Sequence, residues 1–133
     1  MPIWQGASAA GWGHTFALAM AANDAVAAAV SVADDPGLLL ACDGADGRSL
    51  ACETLRMNNG VATLCGMSTR PEERGRGAQK ALINWRLRHA AAHSYRYAVA
   101  TTQAGSVSER NLCRLGFRPA YAKSVWAPSE IRS

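Results

Sequence analysis

"STRPEERGRGAQKAL", residues Ser68 to Leu82, sets two carboxylates, arginines and two glycines in front of a helical pattern. A strand that runs into Gly75 and Gly77 and then into a helix turns several backbone N–H groups toward one point, where the helix dipole also favours an anion. The glycines let the backbone approach a ligand without a Cβ in the way. Arg74 and Arg76 add charge-assisted bonds to phosphate oxygens, and Pro71 and Glu72 shape the turn. Pyrophosphate suits such a loop. The spacing is neither GxxxxGKS/T nor GxGxxG, which counts against a nucleoside triphosphate or a dinucleotide. The plainer alternative is a surface turn with solvated arginines.

Outward from this loop the chain alternates between the two periodicities. On the N-terminal side "VATLCGMST" (61–69) reads as a strand, "NNG" (58–60) as a hairpin turn, and 49–57 as the strand before it. "LLLACDG" is a buried strand ahead of the turn "DGADG", and "DDPG" (34–37) stops an alanine-rich helical run from Thr15 to about Ala33. On the C-terminal side "AQKALINWRLRHAAAH" is helical, with Ala78, Ala81, Leu82, Trp85 and His89 on one face and Lys80, Arg86 and Arg88 exposed. "YRYAVATT" is a strand, "SVSERNLCRLGF" a short helix closed by Gly116, and Phe117 to Trp126 a final extended segment. The order implies an α/β fold whose mixed, mostly antiparallel sheet joins a meander to a crossover unit.

With 133 residues, 49% of them hydrophobic, the chain suits one domain, 1–133, with a helical region at 1–36 and a core at 37–128. Fourteen Lys and Arg against ten Asp and Glu suit an anionic small molecule better than a nucleic acid, and Trp85 alone interleaves the basic residues of the helix. Cys42, Cys52, Cys65 and Cys113 form no CxxC pair and, with His14, His89 and His93, no zinc spacing, so no metal is expected. The apolar stretch 16–32 contains Asn23 and Asp24, which fits neither a membrane span nor a secretion signal, and a cytoplasmic setting is expected.

The loop resembles the signature Q/R-x-x-G-x-G/A of the GNAT superfamily of acyl-CoA N-acyltransferases, here Arg74-Gly75-Arg76-Gly77-Ala78-Gln79, with Gln79 replacing the last small residue. "SERNLCRLGF" resembles the second acyl-CoA motif of that family, and the resemblance runs from about Leu38 to Trp126. It implies a GNAT-like sheet flanked by helices and an N-acetyltransferase that moves acetyl from acetyl-CoA to a small-molecule or peptide amine within a ternary complex. By the same analogy the backbone of Met67, Ser68 and Thr69 bonds the pantetheine arm and the acyl carbonyl, while Gly75, Arg76, Gly77, Ala78, Gln79 and Lys80, with Arg74, hold the pyrophosphate. Asn111 either bonds CoA or caps a local turn. The Tyr that the family sets four residues before the Gly, as acid to the departing thiolate, is Leu112 here, and its usual Asn is Gly105. That loss supports the alternative of an acyl-CoA-binding module without turnover.

An attacking amine must lose a proton. Glu53, the acid well inside the expected sheet, is the candidate base, with a structural role as its alternative; Tyr121 is the candidate acid, or else a buried tyrosine with a satisfied hydroxyl. Trp4, Trp12 and His14 line an acceptor pocket or form a docking edge. The family usually opens with a strand beside "LLLACDG", whereas here the first convincing element is helical and only "MPIW" precedes the turn-like "QGASAAGWG". The expected apolar edge at Leu38 to Cys42 is then covered by a second copy, which implies a homodimer.

Overall fold

The computed structural model describes Ile3, Gly6, Ala7, Ala10, residues 36–124 and Trp126. The helical run expected over 15–33, together with Trp4, Trp12 and His14, lies outside the described residues. Ile3, Gly6, Ala7 and Ala10 are helical, where a turn was expected from Gln5 onward.

Strands β1 (Pro36–Cys42), β2 (Ser49–Asn58), β3 (Val61–Thr69) and β4 (Tyr97–Ala100) form one sheet in the order β1-β2-β3-β4. The first two pairings are antiparallel and β3 pairs β4 in parallel, so the sheet is mixed and mostly antiparallel. The turn between β2 and β3 follows its residues: Asn59 and Gly60 both take positive φ (49° and 77°), the requirement of a tight primed turn. Between β1 and β2, Asp43 accepts from the Ala45 N–H and Asp46 from the Arg48 N–H, each folding the backbone around its own carboxylate.

Helix α1 (Ala78–Ala92) is built from strong helix formers and packs across β1, β2 and β3. Its buried positions are Ala78, Leu82, Ile83, Arg86 and Ala90. This corrects the expected face: Ala81 and Trp85 are exposed, and Arg86 is fully buried. Near its N-terminus α1 shares a cluster with Leu39, Ala41, Leu50 and Ala51, while on the opposite sheet face Ala7 and Leu38 pack against Cys52. Among the described residues no helix is long and apolar enough to cross a membrane.

The chain divides into two compact units, Met1–Thr101 and Thr102–Ser133. The second carries helix α2 (Val107–Arg114), capped by Ser106, whose hydroxyl accepts from the Glu109 N–H at 3.1 Å. The Glu109 carboxylate accepts in turn from the Gly105 N–H, so two donors that the helix leaves unpaired are satisfied. Gly116 (φ 93°) closes α2, with the Phe117 N–H returning to the Leu112 carbonyl at 3.1 Å. The expected extended segment beyond it pairs with no strand: residues 117–124 and Trp126 are irregular and mostly exposed.

Candidate functional site

The site begins at an irregularity in β3. Cys52 pairs with Ser68 and Thr54 with Cys65, so Glu53 alone faces both Gly66 and Met67. Gly66 takes φ 62°, a left-handed conformation that a side chain would disfavour, and so absorbs the extra residue of this bulge. Sequence reasoning passed over Gly66, although an isolated glycine inside a strand pattern is the usual sign of a bulge.

The far side of β3 is open beyond the bulge. β4 pairs only with Val61 to Leu64 and ends at Ala100, whereas β3 runs on from Cys65 to Thr69. Among the described residues, therefore, the stretch holding Met67, Ser68 and Thr69 has β2 on one side and no strand on the other. An extended, amide-bearing ligand is the kind of partner that the edge of a strand takes.

From Thr69 the chain enters the quoted loop. Arg70 anchors it through its N–H to the Leu50 carbonyl (3.0 Å) and its guanidinium to the Ser49 hydroxyl (3.2 Å). A single 3-10 turn, Pro71–Glu73, follows. Gly75 and Gly77 both take left-handed φ, 81° and 80°, and Gly77 is the N-cap of α1. No side chain caps α1, so the first-turn N–H groups of Ala78, Gln79 and Lys80 receive no capping acceptor from Gly77, which has no side chain to offer. The arrangement is a nest of donors at the positive end of a fifteen-residue helix.

The loop's shape is held by an ion network that the sequence does not announce. Arg76 contacts Glu73 at 2.7 Å and Asp43 at 2.6 Å, and Arg48 reaches the other oxygen of Glu73 at 2.9 Å. The Ala45 N–H and then Arg76 hold the Asp43 carboxyl below its usual range, and the two carboxylates push the Arg76 guanidinium further up. Arg76 was expected to meet phosphate oxygens directly. In the structure both its terminal nitrogens hold carboxylates, tying the β1–β2 loop to the glycine loop. Glu73, with its side chain only 6% exposed, is the centre of that tie.

From Gly77 a groove of about 430 Å³ follows α1, lined by Lys80, Ala81, Asn84, Trp85 and Arg88. Lys80 was expected at the site; Arg88, read only as an exposed residue, and Asn84 were not.

Glu53 is placed beside the bulge but sealed from solvent: its carboxylate and the Arg86 guanidinium, 1% and 0% exposed, meet at 2.5 Å, and Arg86 also donates to the Thr54 carbonyl at 2.9 Å. Burial pushes the Glu53 carboxyl up to about 8, more than the Arg86 charge pulls it down. The pair pins α1 to β2. Tyr121 lies in the second unit, in irregular chain and 83% exposed, so it is not the buried tyrosine of the alternative reading. Asn111, half-buried on α2, accepts from the Arg114 side chain at 3.2 Å.

A bulged strand thus leads through left-handed glycines into a helix whose N-terminus no side chain caps. The sequence profile of the acetyltransferase (GNAT) family matches residues 5–117, and the chain belongs to that family. Solved structures with the same fold include an aminoglycoside N-acetyltransferase, AAC(6')-Iy, in complex with a bisubstrate analogue of CoA and acetylneamine (TM-score 0.71, 22% identity, covering 96% of this chain and 90% of that one). Another is the aminoglycoside 6'-N-acetyltransferase AAC(6')-IG of Acinetobacter haemolyticus (0.68, 20%, 98% and 92%). A third is the ribosomal-protein-S18-alanine N-acetyltransferase of Escherichia coli (0.71, 16%, 90% and 72%). No curated protein sequence matches the chain.

Proposed function

We propose that this chain is a single-domain N-acetyltransferase that binds acetyl-CoA and transfers its acetyl group directly to a primary amine in a ternary complex. The observation that carries this reading is the open β3 edge running into the glycine loop. The pantetheine arm carries two amides and can lie along Met67, Ser68 and Thr69 as an added strand. The pyrophosphate then meets the N–H groups of Gly75 to Lys80, and the adenosine end follows the groove toward Asn84 and Arg88, where Trp85 offers a ring and the cations offer charge.

In the reaction the amine nitrogen attacks the thioester carbonyl, a nitrogen–carbon bond forms, and the carbon–sulfur bond breaks with CoA leaving as thiolate. A backbone N–H at the bulge is suited to stabilise the oxyanion between these events, a contribution of about 3 kcal/mol where such donors have been removed. The amine's proton leaves to water or, through water because its carboxyl is buried against Arg86, to Glu53, and Tyr121 is the residue to test as acid to the thiolate. A free thiolate, with its pKa near ~8.5, departs without an acid at little cost. The structural relatives acetylate an aminoglycoside and a protein alanine by their names, so both small-molecule and protein amines are acceptors to try. A homodimer across the β1 edge and a cytoplasmic setting complete the proposal.

Calorimetry with acetyl-CoA, followed by turnover on an amine panel, tests it. Micromolar binding with turnover supports the enzyme, binding without turnover on any amine supports the acyl-CoA module, and no heat at millimolar acetyl-CoA overturns both. Full activity across the pH range in Glu53→Gln gives proton removal to water, and full activity in Tyr121→Phe removes Tyr121 as the acid.

A further inference from the structure

His89 and His93 stand four residues apart on α1, so a single helical turn brings both rings to one side of the helix. Trp85, one turn earlier, stacks on His89 with centroids 4.8 Å apart and planes 16° apart, and His89 meets His93 at 4.3 Å with the planes inclined by 34°. The His93 Nδ1 lies 2.8 Å from the His89 carbonyl oxygen. A carbonyl only accepts, so Nδ1 carries the proton and donates, and the lone pair of neutral His93 sits on Nε2. A histidine that ligates a metal shows this same arrangement, one nitrogen tied to a backbone carbonyl and the other presented outward. His93 is exposed and His89 half-buried, with one ring face on Trp85.

We propose that His89 and His93 form a two-imidazole site for a borderline divalent transition-metal ion of the Ni2+, Cu2+ and Zn2+ class. Two metal–nitrogen bonds of about 2.1 Å at a right angle need nitrogens about 3 Å apart. Rings with centroids 4.3 Å apart stand close enough for one ion to reach a nitrogen of each once the side chains turn toward it. Imidazole selects these ions over Mg2+ and Ca2+, which prefer oxygen. Among the described residues no group of three or more His, Cys, Asp and Glu side chains could hold a metal ion, so water or a donor from another molecule fills the remaining positions. The competing role for His93 is to close the C-terminus of α1. It accounts for the carbonyl contact of His93 alone.

Ni2+ calorimetry on the untagged full chain tests the site, in a Cys42→Ser/Cys113→Ser background that removes the two exposed thiols. One ion per chain is expected, with His89→Gln and His93→Gln each weakening it at least about tenfold, as loss of one imidazole from a chelate requires. His14→Gln, the control for the third histidine, is expected to leave it unchanged. The Trp85 share of the fluorescence, taken as the difference from Trp85→Phe, is expected to be quenched on adding Ni2+. Absence of binding at millimolar Ni2+, unchanged affinity in either variant, or no quenching of the Trp85 share overturns the proposal. CoA binding plays no part in any of these readouts.

Discussion

Replacing Gly77 by Asp separates the stability of the loop from its ligand. Gly77 sits at φ 80° as the N-cap of α1, and a Cβ added there meets nothing within 4 Å. The structural cost is therefore the left-handed backbone alone, about 1–2 kcal/mol for an ordinary residue and less for Asp. A carboxylate at a helix N-terminus returns about 0.3–1 kcal/mol through the dipole, and capping adds to that. The folded chain is expected to lose no more than about 1 kcal/mol in urea unfolding. Binding responds quite differently, because the new charge occupies the place proposed for a pyrophosphate. At about 4 Å a like charge costs about 1 kcal/mol per phosphate charge under water-like screening and about 4 at an effective dielectric of 20. Two phosphate charges put the loss at 2 kcal/mol or more, so CoA affinity measured by calorimetry should fall at least about thirtyfold. A Gly77→Asp protein that unfolds at the wild-type urea midpoint and binds CoA within threefold of wild type would refute the anion nest. Destabilisation by several kcal/mol would refute the account of Gly77 as open space.

Glu53→Ala, which removes the oxygens that meet the buried Arg86 guanidinium, should cost about 3 kcal/mol at neutral pH, against much less for Glu53→Gln, which keeps the shape and an acceptor oxygen of the protonated carboxyl, and equal losses in the two would refute the contact. Because burial raises the folded pKa of Glu53 to about 8 from an ordinary 4.5, the folded chain holds this proton more tightly than the unfolded chain does. The stabilisation is full below pH ~4.5 and lost as pH climbs through about 8, at no more than ~1.4 kcal/mol per pH unit, and Glu53→Gln should abolish that slope in urea melts. Light scattering at micromolar concentration should show a dimer that Leu40→Glu converts to monomer, since β1 is an edge strand among the described residues and Leu40 is 37% exposed. A wild-type monomer removes the dimer and leaves the ligand site untouched.

Local chemistry made most of the elements legible. Asn59-Gly60 dictated a tight turn, Gly116 the end of a short helix, and Gly75 and Gly77 a strand-to-helix loop, because each depends on backbone conformation and hydrogen bonds within a few residues. The nest of donors in the candidate site was legible for the same reason. The groove beyond it was not, since it depends on which side of α1 meets the sheet, and periodicity put an aromatic residue inside and an arginine outside. Trp85 lies outside at 45% exposure and Arg86 inside at 0%. A residue's own hydrophobicity decided neither placement.

What the sequence by itself determined, then, were the elements, their order and the glycine loop that leads from β3 into α1. Only the tertiary structure decided what each charge does. Arg86 is buried because packing α1 on β2 brings it to Glu53, and Arg76 holds the loop because the β1–β2 hairpin delivers Asp43, far away along the chain, to the same point. The edge of β3 that no strand covers among the described residues has the same origin: β4 stops at Ala100 while β3 continues through its bulge to Thr69. Each of these follows from the pairing of distant segments, and such pairing carries no short-range signal for a sequence to display.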